Sequence, residues 1–113
     1  MIETSVWNVT NPATEKVFCS VEPTSDPQLH AITERMRAAQ EQWSDTPVAT
    51  RVAICKQFID EFRSLKERVA LEITRQMGKP LRQARSEVDT MLNRAETMSQ
   101  LAEPALRDEI LPE

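Results

Sequence analysis

The sequence predicts an α+β arrangement, an N-terminal β-hairpin followed by four α-helices. Apolar and polar residues alternate only before residue 22, and from residue 26 onward the apolar residues recur at helical spacing. Start and stop signals at Asp26-Pro27, Thr46-Pro47, Ser64 and Gly78-Lys79-Pro80 divide the helical part into four.

The hairpin is expected over about residues 5–21. Ser5-Val6-Trp7-Asn8-Val9-Thr10 alternates, and Lys16-Val17-Phe18-Cys19-Ser20-Val21 is rich in β-branched and aromatic residues, as strands require. Between them, Asn11 can hydrogen-bond the backbone ahead and Pro12 presets φ for a turn. Two strands alone are not stable, so the hairpin needs a surface to lie on.

The first helix is expected over about 27–43, with Asp26 as its cap and Leu29, Ile32, Met36, Ala39 and Trp43 on one stripe. Thr46-Pro47 repeats the start signal for a helix over about 47–63, with Val48, Val52, Cys55, Phe58 or Ile59, and Phe62 as its stripe. Ser64-Leu65-Lys66-Glu67 has the form of a capping box. It opens a third helix over about 65–77, in which Leu65, Val69, Ile73 and Met77 repeat every four residues until Gly78 permits the left-handed turn that ends it. Ala84, Val88, Met91, Leu92, Ala95, Met98 and Leu101 predict a fourth helix over about 80–102, stopped by Pro104. The methionines at 36, 77, 91 and 98 are expected to pack in a core. From Ala105 to Glu113 there is no period, and a fold of alternating strands and helices would continue with another strand.

Composition excludes several functions. Gly78 is the single glycine in 113 residues, where an average protein of this length has roughly eight. No glycine-rich loop can therefore cradle a phosphate here. A net charge of −4 gives no electrostatic drive toward nucleic acid or an anionic membrane, and neither is an expected partner. Met1-Ile2-Glu3 does not begin a secretory signal, no apolar run approaches a membrane span, and the expected location is cytoplasmic. Cys19 and Cys55 lack nearby histidines at metal-ligand spacing, so both read as reduced, packed thiols.

The order of these pieces resembles the opening of an NAD(P)-dependent aldehyde dehydrogenase. The resemblance rests on Asn11-Pro12-Ala13-Thr14 at the hairpin turn, Ala38-Ala39 followed by Trp43, Arg51 early in the second helix, and Gly78-Lys79-Pro80 with Ala84 and Glu87-Val88 beyond. It covers about residues 6 to 102. Each motif is weak by itself, and their order and intervals together make the signal. The resemblance implies an N-terminal segment, residues 1–113, of the Rossmann-like cofactor-binding domain of such a subunit. In that family a cysteine thiolate attacks the aldehyde, hydride passes to NAD or NADP, and a glutamate activates the water that releases the acid.

None of those catalytic parts has a counterpart here, so no catalytic or cofactor-binding residue is expected and this chain alone should hold no cofactor. The residues agree. Neither Cys19 nor Cys55 has a base or oxyanion donor beside it, and the lone His30 stands in the first turn of its helix. Glu87 and Asp89, two apart on a helix, point to different faces, and the adjacent Asp60 and Glu61 are no better placed. Lys79 reads as offsetting a helix dipole rather than binding phosphate. The resemblance also implies a monovalent cation site formed by the backbone carbonyls of Val9 and Thr10 with an acid two residues before Gly78. That position holds Gln76, whose amide offers an oxygen without charge, and a plain turn is the reading preferred.

Two readings follow. One is the fragment of an oxidoreductase, inactive alone, whose partner is the remainder of the subunit. The alternative is a stand-alone helical interaction or oligomerisation module derived from that family, whose partner is a second copy.

Overall fold

The computed structural model describes residues 6–110. Ser5, expected to open the first strand, and Leu111, Pro112 and Glu113 of the aperiodic tail lie outside the described residues. The elements are β1 (Trp7–Asn11), β2 (Lys16–Val21), α1 (Asp26–Ser44), α2 (Val48–Ser64), α3 (Lys66–Met77) and α4 (Leu81–Ala105).

β1 and β2 pair antiparallel, with Trp7 opposite Val21 and Asn11 opposite Lys16. The Asn11 side chain accepts a hydrogen bond from the Ala13 N–H at 2.9 Å, and its carbonyl accepts from the Glu15 N–H at 2.8 Å. Glu15 takes φ 58° to complete the reversal. Between Val9 and Thr10 the register shifts, leaving Phe18 of β2 as the extra residue of a bulge. Phe18 is half-buried, and the Arg75 guanidinium of α3 lies 5.8 Å from its ring centroid. The hairpin thereby finds its surface on α3.

The core lies where α2 and α3 meet α4. Ile59, Ala70, Ala84, Val88 and Leu92 are buried, with Phe62, Val69, Ile73, Leu81, Met91 and Ala95 packed against them. The second-helix stripe is thus completed by Ile59, while Phe58 stays exposed with its ring 5.5 Å from that of Phe62. Ion pairs flank the core. Lys66 pairs with Asp89 at 2.6 Å and Arg85 with Glu67 at 2.8 Å, joining α3 to α4, and Arg63 pairs with Glu96 to join α2 to α4. The hydrogen bonds and charge of Glu67 raise the Arg85 guanidinium above its ordinary value. These pairs are partly or wholly exposed, so they orient the helices more than they stabilise them.

Several helix ends differ from expectation for local reasons. Ser25, not Asp26, caps α1: its N–H and hydroxyl both donate to Gln28 Oε1, at 3.0 and 2.9 Å. Asp26 becomes the first helical residue, where its charge suits the dipole. The Thr46 hydroxyl donates back to the Gln42 carbonyl at 3.3 Å, which leaves Pro47 as the cap of α2. The capping box at Ser64 does not form. Ser64 donates to the Glu61 carbonyl at 2.6 Å, Glu67 is held by Arg85, and Leu65 takes the cap position of α3. Pro104 lies inside α4 rather than beyond it. In the final turn its missing N–H removes one bond, and the helix still closes through the Leu106 N–H to the Ala102 carbonyl at 3.0 Å.

The shape is open. The radius of gyration is 19.7 Å, against about 13 Å for a compact domain of this length. Accessible surface is 9789 Å², where a compact monomer of this mass exposes about 6,300 Å². α1 buries none of its residues, and Leu29 and Met36 of its apolar stripe are exposed. Of the four methionines expected in a core, only Met91 packs against it; Met36, Met77 and Met98 are 66, 74 and 67% exposed because nothing among the described residues covers their faces.

Candidate functional site

Two of the motifs that carried the resemblance, Asn11-Pro12 and Gly78-Lys79-Pro80, come together at one corner, where the hairpin turn meets the end of α3. Gly78 takes φ 72°, and its N–H donates to the Thr74 carbonyl at 2.9 Å. A Cβ built on Gly78 would lie 2.7 Å from Cγ of Pro12. Asn11-Pro12 and Gly78-Lys79-Pro80, 66 residues apart from Pro12 to Gly78, are therefore two halves of one contact. Glycine is required twice over, by its backbone conformation and by the proline ring against it.

This corner does not fit a nicotinamide cofactor. The space a phosphate would need beside the single glycine is filled by Pro12, and no second glycine opens another approach. Val9 and Thr10 stand on β1 either side of the register shift, and Val9 is half-buried. Gln76 is exposed near the end of α3, where its amide donates to Glu72 at 3.4 Å.

The remaining candidates are dispersed. His30 is exposed on α1, Cys19 is half-buried in β2, and Cys55 is exposed on α2 rather than packed. Glu87 pairs with Lys79 and Asp89 with Lys66, so the two carboxylates serve different cations. Lys79 accordingly ties the α3–α4 connection to α4. Among the described residues, no group of three or more His, Cys, Asp or Glu could hold a metal ion, and no helix is long and apolar enough to cross a membrane.

A second feature emerges only in three dimensions. An open groove of about 470 Å³ runs between α2 and α4, with Trp43 at the end of α1 among its lining residues. Val48, Val52, Cys55 and Phe58 line it from α2, and Ala95, Met98, Ser99 and Ala102 from α4. Among the described residues Arg51 is the one charged residue in the lining, and its Nε is buried without a hydrogen-bond partner. The spacing of Ala95, Ser99 and Ala102 is the sequence signal for this face, but small residues do not announce what packs on them.

Comparisons with known proteins place the fold. The aldehyde dehydrogenase family model matches residues 2–113. The chain is 38% identical over 68 residues to the N-succinylglutamate 5-semialdehyde dehydrogenase of Novosphingobium aromaticivorans, an alignment covering 60% of this chain and 14% of that protein. It is 34% identical over 82 residues to a probable NADP(+) succinate-semialdehyde dehydrogenase of Sinorhizobium fredii, covering 73% of this chain and 17% of that one. Among solved structures, aldehyde dehydrogenase 21 of Physcomitrella patens, in complex with the reaction product succinate, superposes with a TM-score of 0.88 at 20% identity, covering 99% of this chain and 23% of that one. A glyceraldehyde-3-phosphate dehydrogenase of Methanocaldococcus jannaschii, complexed with NADP, gives 0.86 at 21% identity, covering 100% and 24%. This chain thus spans less than a fifth of the length of the two curated relatives. A hairpin and four helices with this order, this corner contact and this match belong to the aldehyde dehydrogenase family, of which the chain is an N-terminal segment.

Proposed function

We propose that residues 1–113 are the opening part of the cofactor-binding domain of an aldehyde dehydrogenase subunit, and that they supply scaffold rather than chemistry. In the complete enzyme an aldehyde is oxidised to a carboxylic acid: NAD(P)+ takes the hydride and water supplies the second oxygen. This chain by itself binds no cofactor and turns over no aldehyde. Its partner is the remainder of the subunit, and its location is cytoplasmic. The two sequence relatives named above act, by their names, on semialdehydes that also bear a carboxylate, which supports an acid-bearing semialdehyde as the substrate class. The carbonyls of Val9 and Thr10 serve the hairpin rather than a monovalent cation, because Gln76 brings no charge to hold one there.

The observation that carries this reading is the surplus of uncovered apolar surface on a chain whose fold matches part of a larger one. Leu29 and Met36 on α1, Phe58 on α2, Met77 on α3 and Leu101 on α4 are all exposed. So many large apolar side chains left uncovered on four helices mark surface meant for a partner. The same surface would also suit a module that pairs with its own copy. Size-exclusion chromatography with light scattering, beside calorimetry, separates the two. The fragment reading expects a broad melt and polydisperse association, and a discrete dimer with one sharp transition would overturn it in favour of the module.

A further inference from the structure

Resting on the reading just given, we infer that the groove between α2 and α4 seats one helix from the remainder of the subunit, with an apolar face and one carboxylate that pairs with Arg51. The shape argues for a helix. From Val48 to Phe58 the groove follows α2 for about 15 Å, the rise of some ten helical residues. On its other side Ala95, Ser99 and Ala102 offer a low floor that admits the side-chain ridge of a third helix. An extended strand laid there would press unsatisfied backbone N–H and C=O groups against apolar side chains, whereas a helix satisfies its own.

Arg51 decides the chemistry of the occupant. Among the described residues its Nε is already buried and unpartnered, in a lining with no other charged residue. A wholly apolar cover would enclose this cation without a counter-charge, which is strongly unfavourable. A carboxylate would satisfy the guanidinium through charge-assisted hydrogen bonds. A second copy packed groove to groove across a two-fold axis would place the two Arg51 charges on one interface, so that mode of self-association is disfavoured.

The test mixes the full 113-residue chain, during refolding, with the N. aromaticivorans enzyme from which the segment corresponding to this chain has been removed. The removed segment, added back to the same preparation, defines conditions under which assembly occurs. Cys55 lines the groove and is exposed, so its alkylation by iodoacetamide, read by peptide mass spectrometry, reports cover. The expected result is a complex in which Cys55 reacts at least about tenfold more slowly than in the free chain. Arg51→Met, with an unchanged far-UV circular dichroism spectrum as the free chain, should weaken assembly at least about tenfold, and Arg51→Lys should recover part of it. A complex in which Cys55 reacts at the free rate, or in which Arg51→Met assembles like the parent, overturns the inference and leaves the family reading standing. Absence of any complex where the enzyme's own segment assembles overturns both. Protection of Cys55 in a homodimer, without the added enzyme, assigns the groove to a second copy and overturns the inference as well.

Discussion

α4 is one continuous helix with two different surroundings. Its first half places Ala84, Val88 and Leu92 in the core and sends Arg85 and Asp89 to partners on α3. Its second half keeps the same apolar period but leaves Met98 and Leu101 exposed, with Met98 lining a groove rather than meeting a neighbour. The period states which face is meant to be covered. It does not state whether the cover is in the same chain, and the contrast between the halves locates where this segment ends its own packing and awaits another.

Single substitutions test that contrast. Leu92→Ala should have the largest effect, about 3 kcal/mol, because Leu92 is 1% exposed and its removal leaves a cavity among α2, α3 and α4. Urea titration followed by circular dichroism reads it, and a loss below about 1 kcal/mol would mean that the first half is no better packed than the second. Gly78→Ala should cost about 1–2 kcal/mol, from both the left-handed backbone and the clash with Pro12. Adding Pro12→Ala should return part of that loss. Full additivity of the two changes would deny that the corner is a single contact.

Asp89→Asn comes next. It removes the charge opposite Lys66, and because that pair is partly exposed the expected loss is under about 1 kcal/mol and shrinks in high salt. Met98→Ala should be the smallest, within about 0.5 kcal/mol in this chain, since Met98 is 67% exposed. In a complete subunit whose other parts cover that face, the same change should cost about 2 kcal/mol. Equal effects in both settings would show that the second half of α4 faces solvent in the enzyme too.

Much of the fold was legible because it depends on local signals. The change from alternation to helical spacing after the hairpin, the proline starts and Gly78 located every element but the start of α3, which was read from a capping box that does not form. Helix ends were less legible because short polar side chains choose among nearby backbone partners: Thr46 and Ser64 turned back to close the preceding helix, although each also stood where a cap could begin the next. Glu67 was lost to its box because Arg85, distant in sequence, took its carboxylate. The corner was half legible. Asn11-Pro12 and Gly78 were visible as family marks, but their contact depends on how the hairpin leans on α3. The groove was not legible, since Arg51 gives no sign in sequence that its Nε is enclosed without a partner.

The central claim is that this chain is scaffold for a dehydrogenase whose chemistry lies outside it. The most direct measurement is absorbance at 340 nm, following NAD(P)+ reduction with a carboxylate-bearing semialdehyde, in three preparations: the chain alone, the truncated N. aromaticivorans enzyme alone, and the two refolded together. The account predicts no turnover from either alone and aldehyde-dependent NAD(P)H formation from the mixture. Turnover by the 113-residue chain alone, or an inactive mixture where the enzyme's own segment restores activity, would contradict it.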